Sequence, residues 1–454
     1  MKKNSFSLYS KNILFKENKT YVTAPGIVEV EGQFIKSVTK FKGAKDISDT
    51  QVQECALNKN FKNYSDLLIT PAFINSHTHV AMSFFRGILN EKKHSNNVIK
   101  DFFFSMERKL TFNDVKAFAK MGAYECLLNG IGLIWDHYYH GLAVAQALAE
   151  VGICGVVAPT LQDNSGPGKE NWEQGLLDTI SIAQNDNFKQ KGIYAALGPH
   201  ATDTVSTSLW QTITNISSSH CLPIHAHVAQ TKQEYLFIKK KYSSTPVSYL
   251  HSLKVLEKSY KTLLVHSIYL DKNDYQLLNT DKNFLVFCPF SQMIFQHPAD
   301  ILTWEKNGVN WLVGTDCVAS NDSMNIQKEL KMISGFPSLK KQKKKFVNLS
   351  DPHFLLEKIW DKPGSLHSDF CAGTIQPGAL ANILVWDTKH PSLWPCSQPA
   401  KSLAMGDTLG GIFNMCVNGK WLGKDGDYCK SILNSSEYLD SYTEAEARLK
   451  NFLS

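Results

Sequence analysis

Six short apolar bursts recur through the middle of the chain: LLIT, GIYAALG, LPIHAHV, TLLVHS, FLVFCP and VNWLVGTD. Helix-like segments separate them. One, FNDVKAFAKMGAYECLLNG, spaces Val115, Phe118, Ala119, Gly122 and Ala123 along one face and stops at Asn129-Gly130. Buried strands alternating with helices over roughly 300 residues imply a parallel α/β architecture. Polar residues stand where the strands end: His77, His79, His200, His227, His266 and Asp316. This combination predicts a (β/α)8 TIM barrel with its active site at the C-terminal ends of the strands. A doubly wound sheet is the alternative, but no GxGxxG follows the first strand.

The two ends of the chain read differently. GIVEVEGQFIKSVTKF alternates and carries Gly32 at a turn, as short antiparallel strands do. GTIQPGALANILVWDT and GIFNMCVNGKWLGKDG have the same texture, with NGK and KDG as hairpin turns. The expected division is a discontinuous β-sandwich from residues 1–68 and 370–430, a catalytic barrel at 69–369 and a helical extension at 431–454.

Hydrophobic residues make up 43% of the chain and charged residues 20%, a balance that supports a large core. The net charge of +6 is small for 454 residues, and much of it falls in KKQKKK at 340–345. That run has no interleaved aromatics, so it reads as a solvated segment rather than a nucleic-acid patch. No apolar stretch approaches the ~18 residues of a membrane span. The N-terminus lacks the apolar core of a signal peptide. The ten cysteines form no CxxC pair. The expectation is a cytoplasmic protein with reduced thiols and a small-molecule substrate.

The segment INSHTHVAMSFFRG holds His77 and His79 one residue apart. On a strand both imidazoles point to one side, where neutral ring nitrogens can ligate a divalent ion. His227 offers a third nitrogen from a later strand, and Asp316 offers a carboxylate. Three nitrogens and one carboxylate suit zinc, or iron, and leave a position for water. One divalent metal ion per chain is expected, zinc before iron.

These segments resemble the amidohydrolase superfamily, in particular its branch of S-adenosylhomocysteine/5′-methylthioadenosine deaminases and triazine hydrolases. PAFINSHTHVAMSFFRG is similar to that branch's metal-binding strand, with Ala72 where glycine is usual. LGPHATDTVS resembles the segment that carries a substrate-contacting histidine, here His200. LLVHSIYLD places His266 at a mechanistic histidine. GTDCVASND gives Asp316 and Ser320, with Cys317 where glycine is usual. The resemblance implies hydrolytic deamination of an adenosine-like nucleoside or related heteroaromatic ring, and it leaves a homodimer open.

LPIHAHVAQTKQEY departs from the pattern at one functional point. The branch has a glutamate three residues after the ligand histidine, and this chain has Gln230. Glutamine can donate an N–H to a ring nitrogen but cannot transfer a proton. Three readings follow. Another group, His266 or Asp316, carries the proton traffic of a deaminase. The leaving group is an easier one, as in a triazine chlorohydrolase. Or the chain is a divergent homologue with weak or no turnover.

Two further assignments concern the substrate. Asp101, in VIKDFFFSMERKL, is set where the branch has a glutamate that holds ribose hydroxyls, and Ser320 can bond a purine edge. Asp136, His137 and His140, in WDHYYH, are read as pocket lining, and Arg86 as a structural arginine buried under the barrel mouth.

Overall fold

The structure, a computed structural model, describes residues 4–42, 60–87, 99–278, 280–294, 297–339 and 347–453. The basic run at 340–345 lies outside them. The chain opens with a long antiparallel hairpin, β1 (Ser5–Glu17) and β2 (Thr20–Glu31). Gly32, at φ +64°, turns it into β3 (Phe34–Lys40). β4 (Phe61–Asn63) and β5 (Leu68–Pro71) both run parallel to β1.

Eight parallel tracks follow, in chain order. They are β6 (Phe73–Thr78), β7 (Ile131–Tyr138), β8 (Cys154–Leu161), the interrupted pair β9 (Ile193–Ala195) and β10 (Gly198–Pro199), β11 (Ile224–Val228), β12 (Thr262–His266), β13 (Asn283–Phe287) and β14 (Trp311–Val313). Nearly every residue of these strands is buried, as the apolar bursts require when both faces of a sheet are covered. Hydrogen bonding divides them into a sheet of β6–β10 and a sheet of β11–β14. Isolated parallel bridges join the two sheets at both seams: Leu197 with Ile224 and Ala201 with His227 at one, Thr78 with Asp316 at the other. At the second seam Gly314 approaches so closely that a Cβ would lie 2.8 Å from the His77 nitrogen. The helix expected after β6 spans Phe112–Leu128, with Thr111 and Asp114 forming a capping box and Asn129 as C-cap.

β15 (Ile383–Trp386), β16 (Ile412–Val417) and β17 (Lys420–Trp421) return to the first sheet. β5 is the link, parallel to β1 on one side and antiparallel to β15 on the other. The expected NGK hairpin forms, with Asn418 at φ 53° and Gly419 at φ 70° between β16 and β17. The ladder therefore runs through all eight terminal strands as one sheet rather than two. That sheet curls. β17 and β1 are four strands apart, ~19 Å in a flat sheet, yet the Phe6 and Trp421 rings lie 5.2 Å apart. The fold encloses a second apolar core that includes Phe6, Leu8, Val28, Ile69, Ile383 and Val385. The chain ends in a helix at Ser436–Leu453. Among the described residues no helix is long and apolar enough to cross a membrane.

Candidate active site

The polar residues at the strand ends converge. His77 lies on β6 and His79 just beyond its end, and both are buried. The Nε2 atoms of His79 and His227 are 3.4 Å apart. Oδ1 of Asp316 lies 3.4 Å from His79 Nε2 and 3.6 Å from His77 Nε2, and Oδ2 lies 3.9 Å from His266 Nε2. Two overlapping groups, His77–His79–His227 and His77–His266–Asp316, bring their ligand atoms within 4.8 Å of one another. His266, set apart from the metal ligands on sequence grounds, thus stands in the same cluster.

Hydrogen bonding orients these rings. His79 Nδ1 meets the His137 carbonyl, and His227 Nδ1 meets the His200 carbonyl at 3.0 Å. A carbonyl only accepts, so each Nδ1 carries a proton, which leaves Nε2 as the ligand atom of the neutral ring; burial works to keep His79 neutral, but Asp316 beside its Nε2 outweighs that and raises it above the ordinary histidine range. His77 Nδ1 bonds His225 Nε2 at 2.9 Å. His77 Nε2 and His266 Nε2 are buried with no hydrogen-bond partner. Burial holds His77 down to about 3 and His266 to about 4, and keeps His227 and His225 well below the ordinary histidine range. His77, His227 and His266 are thus neutral imidazoles that contribute nitrogens to the clustered ligand groups, the donor set a divalent cation satisfies. For Asp316 burial acts upward, but the contacts with His77 and His79 outweigh it and keep the carboxylate ionised.

The backbone bends sharply to present this set. His266 (φ 71°) and Asp316 (φ 63°) are both left-handed. Such residues cost ~1–3 kcal/mol each and persist where the surroundings fix them. Asp316 is fixed from two sides: Oδ1 accepts from Cys317 N at 2.9 Å and Oδ2 from the Ser291 hydroxyl at 2.6 Å. Cys317 itself has φ −87°, so no glycine is required there.

A cavity opens over the cluster. His79, His200, His227, Gln230, Asp316 and Ser320 line it. Gln230 follows Ala229 (φ 51°) beyond the end of β11. Glu234 holds that turn, accepting from Ala229 N at 3.0 Å and from Gln230 N at 2.9 Å. Ser320 is 2.7 Å from the Ser291 hydroxyl and sits inside a short helix, Val318–Asn321.

Other assignments fall elsewhere. Asp101 is exposed and absent from the cavity wall, which takes Ile99, Phe103, Phe104 and Glu107 from the same stretch. That segment is a π-turn, Ile99–Phe103, running into a helix, Phe104–Glu107, so Asp101 and Glu107 fall on different faces. Of the WDHYYH residues, His137, Tyr138 and Tyr139 line the cavity. Asp136 instead accepts from Val80 N at 2.7 Å, and His140 caps a helix at φ 50°. Arg86 is exposed, not buried, and pairs with Glu125. Sequence reasoning missed Glu107, Ser291 and the bond of His225 to His77.

A profile described as the amidohydrolase family matches residues 68–354, and the chain belongs to that family. It is 28% identical over 433 residues to a 5-methylthioadenosine/S-adenosylhomocysteine deaminase of Caldanaerobacter subterraneus subsp. tengcongensis, covering 94% of each chain. Two solved structures share its fold. One is an adenosine deaminase from Xanthomonas campestris with bound zinc, at TM-score 0.82 and 16% identity, covering 98% of each chain. The other is an atrazine chlorohydrolase from Arthrobacter aurescens TC1 complexed with zinc, at TM-score 0.81 and 16% identity, covering 99% of this chain and 100% of that one.

Proposed function

We propose that this chain is a metal-dependent hydrolase of carbon–nitrogen bonds that deaminates the purine ring of an adenosine-like nucleoside. The observation that carries the reading is the set of unpartnered histidine nitrogens and one ionised carboxylate under a cavity they help to line. The name of the deaminase relative supports the substrate class. The two bridged seams support a closed (β/α)8 barrel, and the curled terminal sheet supports a β-sandwich beside it. The proposed division is 1–68 with 370–430, 69–369, and a helical tail at 431–454.

His77, His79, His227 and Asp316 would hold the metal, one ion per chain, with zinc favoured by the two zinc-containing neighbours. When bound, the ion supplies positive charge that makes a water molecule more acidic and polarises the substrate. Asp316 takes the proton of the attacking water and passes it to the departing nitrogen. Its Oδ2 is the oxygen aimed at His266, which steadies the attacking oxygen. His200 and Ser320 meet the substrate from the cavity wall. Gln230 donates an amide N–H to a ring nitrogen and fixes the ring's angle without giving up a proton.

The test is ammonia release from adenosine, 5′-methylthioadenosine and S-adenosylhomocysteine by protein loaded with zinc or iron. Metal-dependent release from at least one is expected. Gln230 favours one second reading, because loss of halide from a triazine needs no proton at that position. Chloride release from atrazine, with no ammonia from any aminopurine, would select it.

A further inference from the structure

His227 and His266 compete for one role in the cluster, since each shares a ligand group with His77. The hydrogen bonds behind the two rings separate them. His227 Nδ1 faces a carbonyl, which leaves its Nε2 for a cation. His266 Nδ1 faces the side-chain amide of Gln292 instead, 3.4 Å from the amide nitrogen.

Gln292 is 2% exposed and belongs to the short helix Pro289–Ile294 that follows β13. Its backbone is held on both sides, donating to the Cys288 carbonyl at 3.0 Å and accepting from His297 N at 3.0 Å. The amide has one permitted sense. Ala299 N donates to Oε1 at 2.8 Å, and the reversed amide would set two N–H donors against each other there. What faces His266 Nδ1 is therefore an NH2 group, which only donates.

We infer that Gln292 is a positioning residue that keeps the ring proton of His266 on Nε2, making His266 a hydrogen-bond donor to the attacking oxygen and barring it from the metal. The inference rests on the metal-dependent hydrolase reading above.

An Nδ1 that accepts a hydrogen bond carries no proton, so the ring's proton sits on Nε2. A protonated ring nitrogen offers no lone pair to a cation. The other side of the ring agrees. His266 Nε2 is 3.9 Å from Oδ2 of Asp316, and a carboxylate oxygen attracts an N–H where it would repel a lone pair. Among the described residues that Nε2 has no hydrogen-bond partner. Its N–H thus stands beside the carboxylate that takes the water's proton, where negative charge grows on the attacking oxygen. A donor already aimed at such a point lowers the barrier without reorganising. Two kinds of backing group then assign two jobs: carbonyls behind His79 and His227 make ligands, and an amide NH2 behind His266 makes a donor.

The test reads the proton directly. Zinc-loaded protein carrying isotope-labelled histidine is measured by long-range proton–nitrogen correlation, with the His266 signals identified by their loss in His266→Ala. The parent should show a proton on His266 Nε2 and a bare Nδ1. Gln292→Glu keeps the bond from Ala299 N but sets an acceptor against Nδ1. It should move the proton to Nδ1 and change the visible spectrum of cobalt-substituted protein as the bared Nε2 turns to the metal. Its kcat should fall by about 100-fold or more, with KM within about threefold. Gln292→Met removes both amide bonds and sets neither tautomer, so its kcat should fall less, by about tenfold. A packing role would rank the two the other way, because glutamate keeps a bond that methionine loses. A parent His266 with its proton on Nδ1, a metal-shifted Nε2, a Gln292→Glu variant with the parent's tautomer and kcat, or a methionine variant as slow as the glutamate variant would each overturn the assignment. If the parent releases neither ammonia nor chloride from any substrate, the hydrolase reading fails while the His266 proton is still read from the spectrum, so the two failures are distinguishable.

Discussion

The Ser291 hydroxyl donates to Oδ2 of Asp316 across 2.6 Å, and the Ser320 hydroxyl stands 2.7 Å behind it. Ser291 touches neither the cavity nor the histidine nitrogens, so it acts by aiming the carboxylate. A hydrogen bond to a charged group is worth ~1.5–3 kcal/mol. Ser291→Ala should lower kcat by roughly ten- to a hundredfold while metal content stays near the parent value. Steady-state kinetics beside elemental analysis check this. Unchanged kcat would leave Cys317 N as sufficient support.

His225 bonds the far nitrogen of His77. Partners of this kind fix ring orientation and tautomer, and their loss costs ~10–100-fold in metal affinity. His225→Phe should weaken zinc binding by that factor, measured by competition with a chromophoric chelator. Equal affinity in the variant would mean that the packing around His77 suffices.

Ligand and catalyst are separated by a pair of variants. His227→Ala should carry less than about a tenth of an equivalent of metal after supplementation, since multi-ligand sites are tight only when complete. His266→Ala should keep its metal and lose turnover by about 100-fold. Elemental analysis reversing this order would exchange the two roles, an outcome the shared cluster makes worth testing.

Lys358 gives a pH signature far from the cavity. It is 6% exposed, lies over Trp311 and Phe354 at 4.5 and 4.2 Å from the ring centres, and is 3.9 Å from Glu305. Burial lowers its pKa to about 8 against the partial support of Glu305. Between about 8 and the ordinary ~10.5 the unfolded chain holds a proton that the folded chain has lost, so stability rises with pH. The contribution is complete above ~10.5 and disappears as pH falls through about 8. At ~1.4 kcal/mol per unit it amounts to roughly 3 kcal/mol. Lys358→Met should remove this slope, read as denaturant midpoints from pH 7 to 10.5. A slope identical to the parent's would refute the assignment.

Much of the site is legible in the sequence because strand period and burial act locally. An apolar strand with an HxH puts both rings on one side, and His77 on β6 and His79 just past its end bring their rings within 4.7 Å. A burst ending in GTD leaves its aspartate near a strand end, and Asp316 stands in the bend three residues beyond β14. Three features lie beyond that logic. Glu107 reaches the cavity and Asp101 does not, because six positions along a helical path turn them to different sides. Ser291 reaches Asp316 only because β13 and β14 are neighbours, a tertiary fact. The bond of His225 to His77 joins β11 to β6, which no single segment encodes.

The placement of β5 has a consequence for synthesis on the ribosome. It joins β1, made first, to β15, made after about 315 further residues, a wait of roughly 15–65 s at ~5–20 residues per second. Until then the hairpin β1–β2 can pair through β4 and β5 but leaves the far edge of β5 unclaimed, and an open edge is a template for other chains. The last-made strands thus act as a closing seal. A nascent or truncated chain ending before residue 383 should be the species that chaperones hold and that aggregates, even with all five residues of the metal cluster already in place.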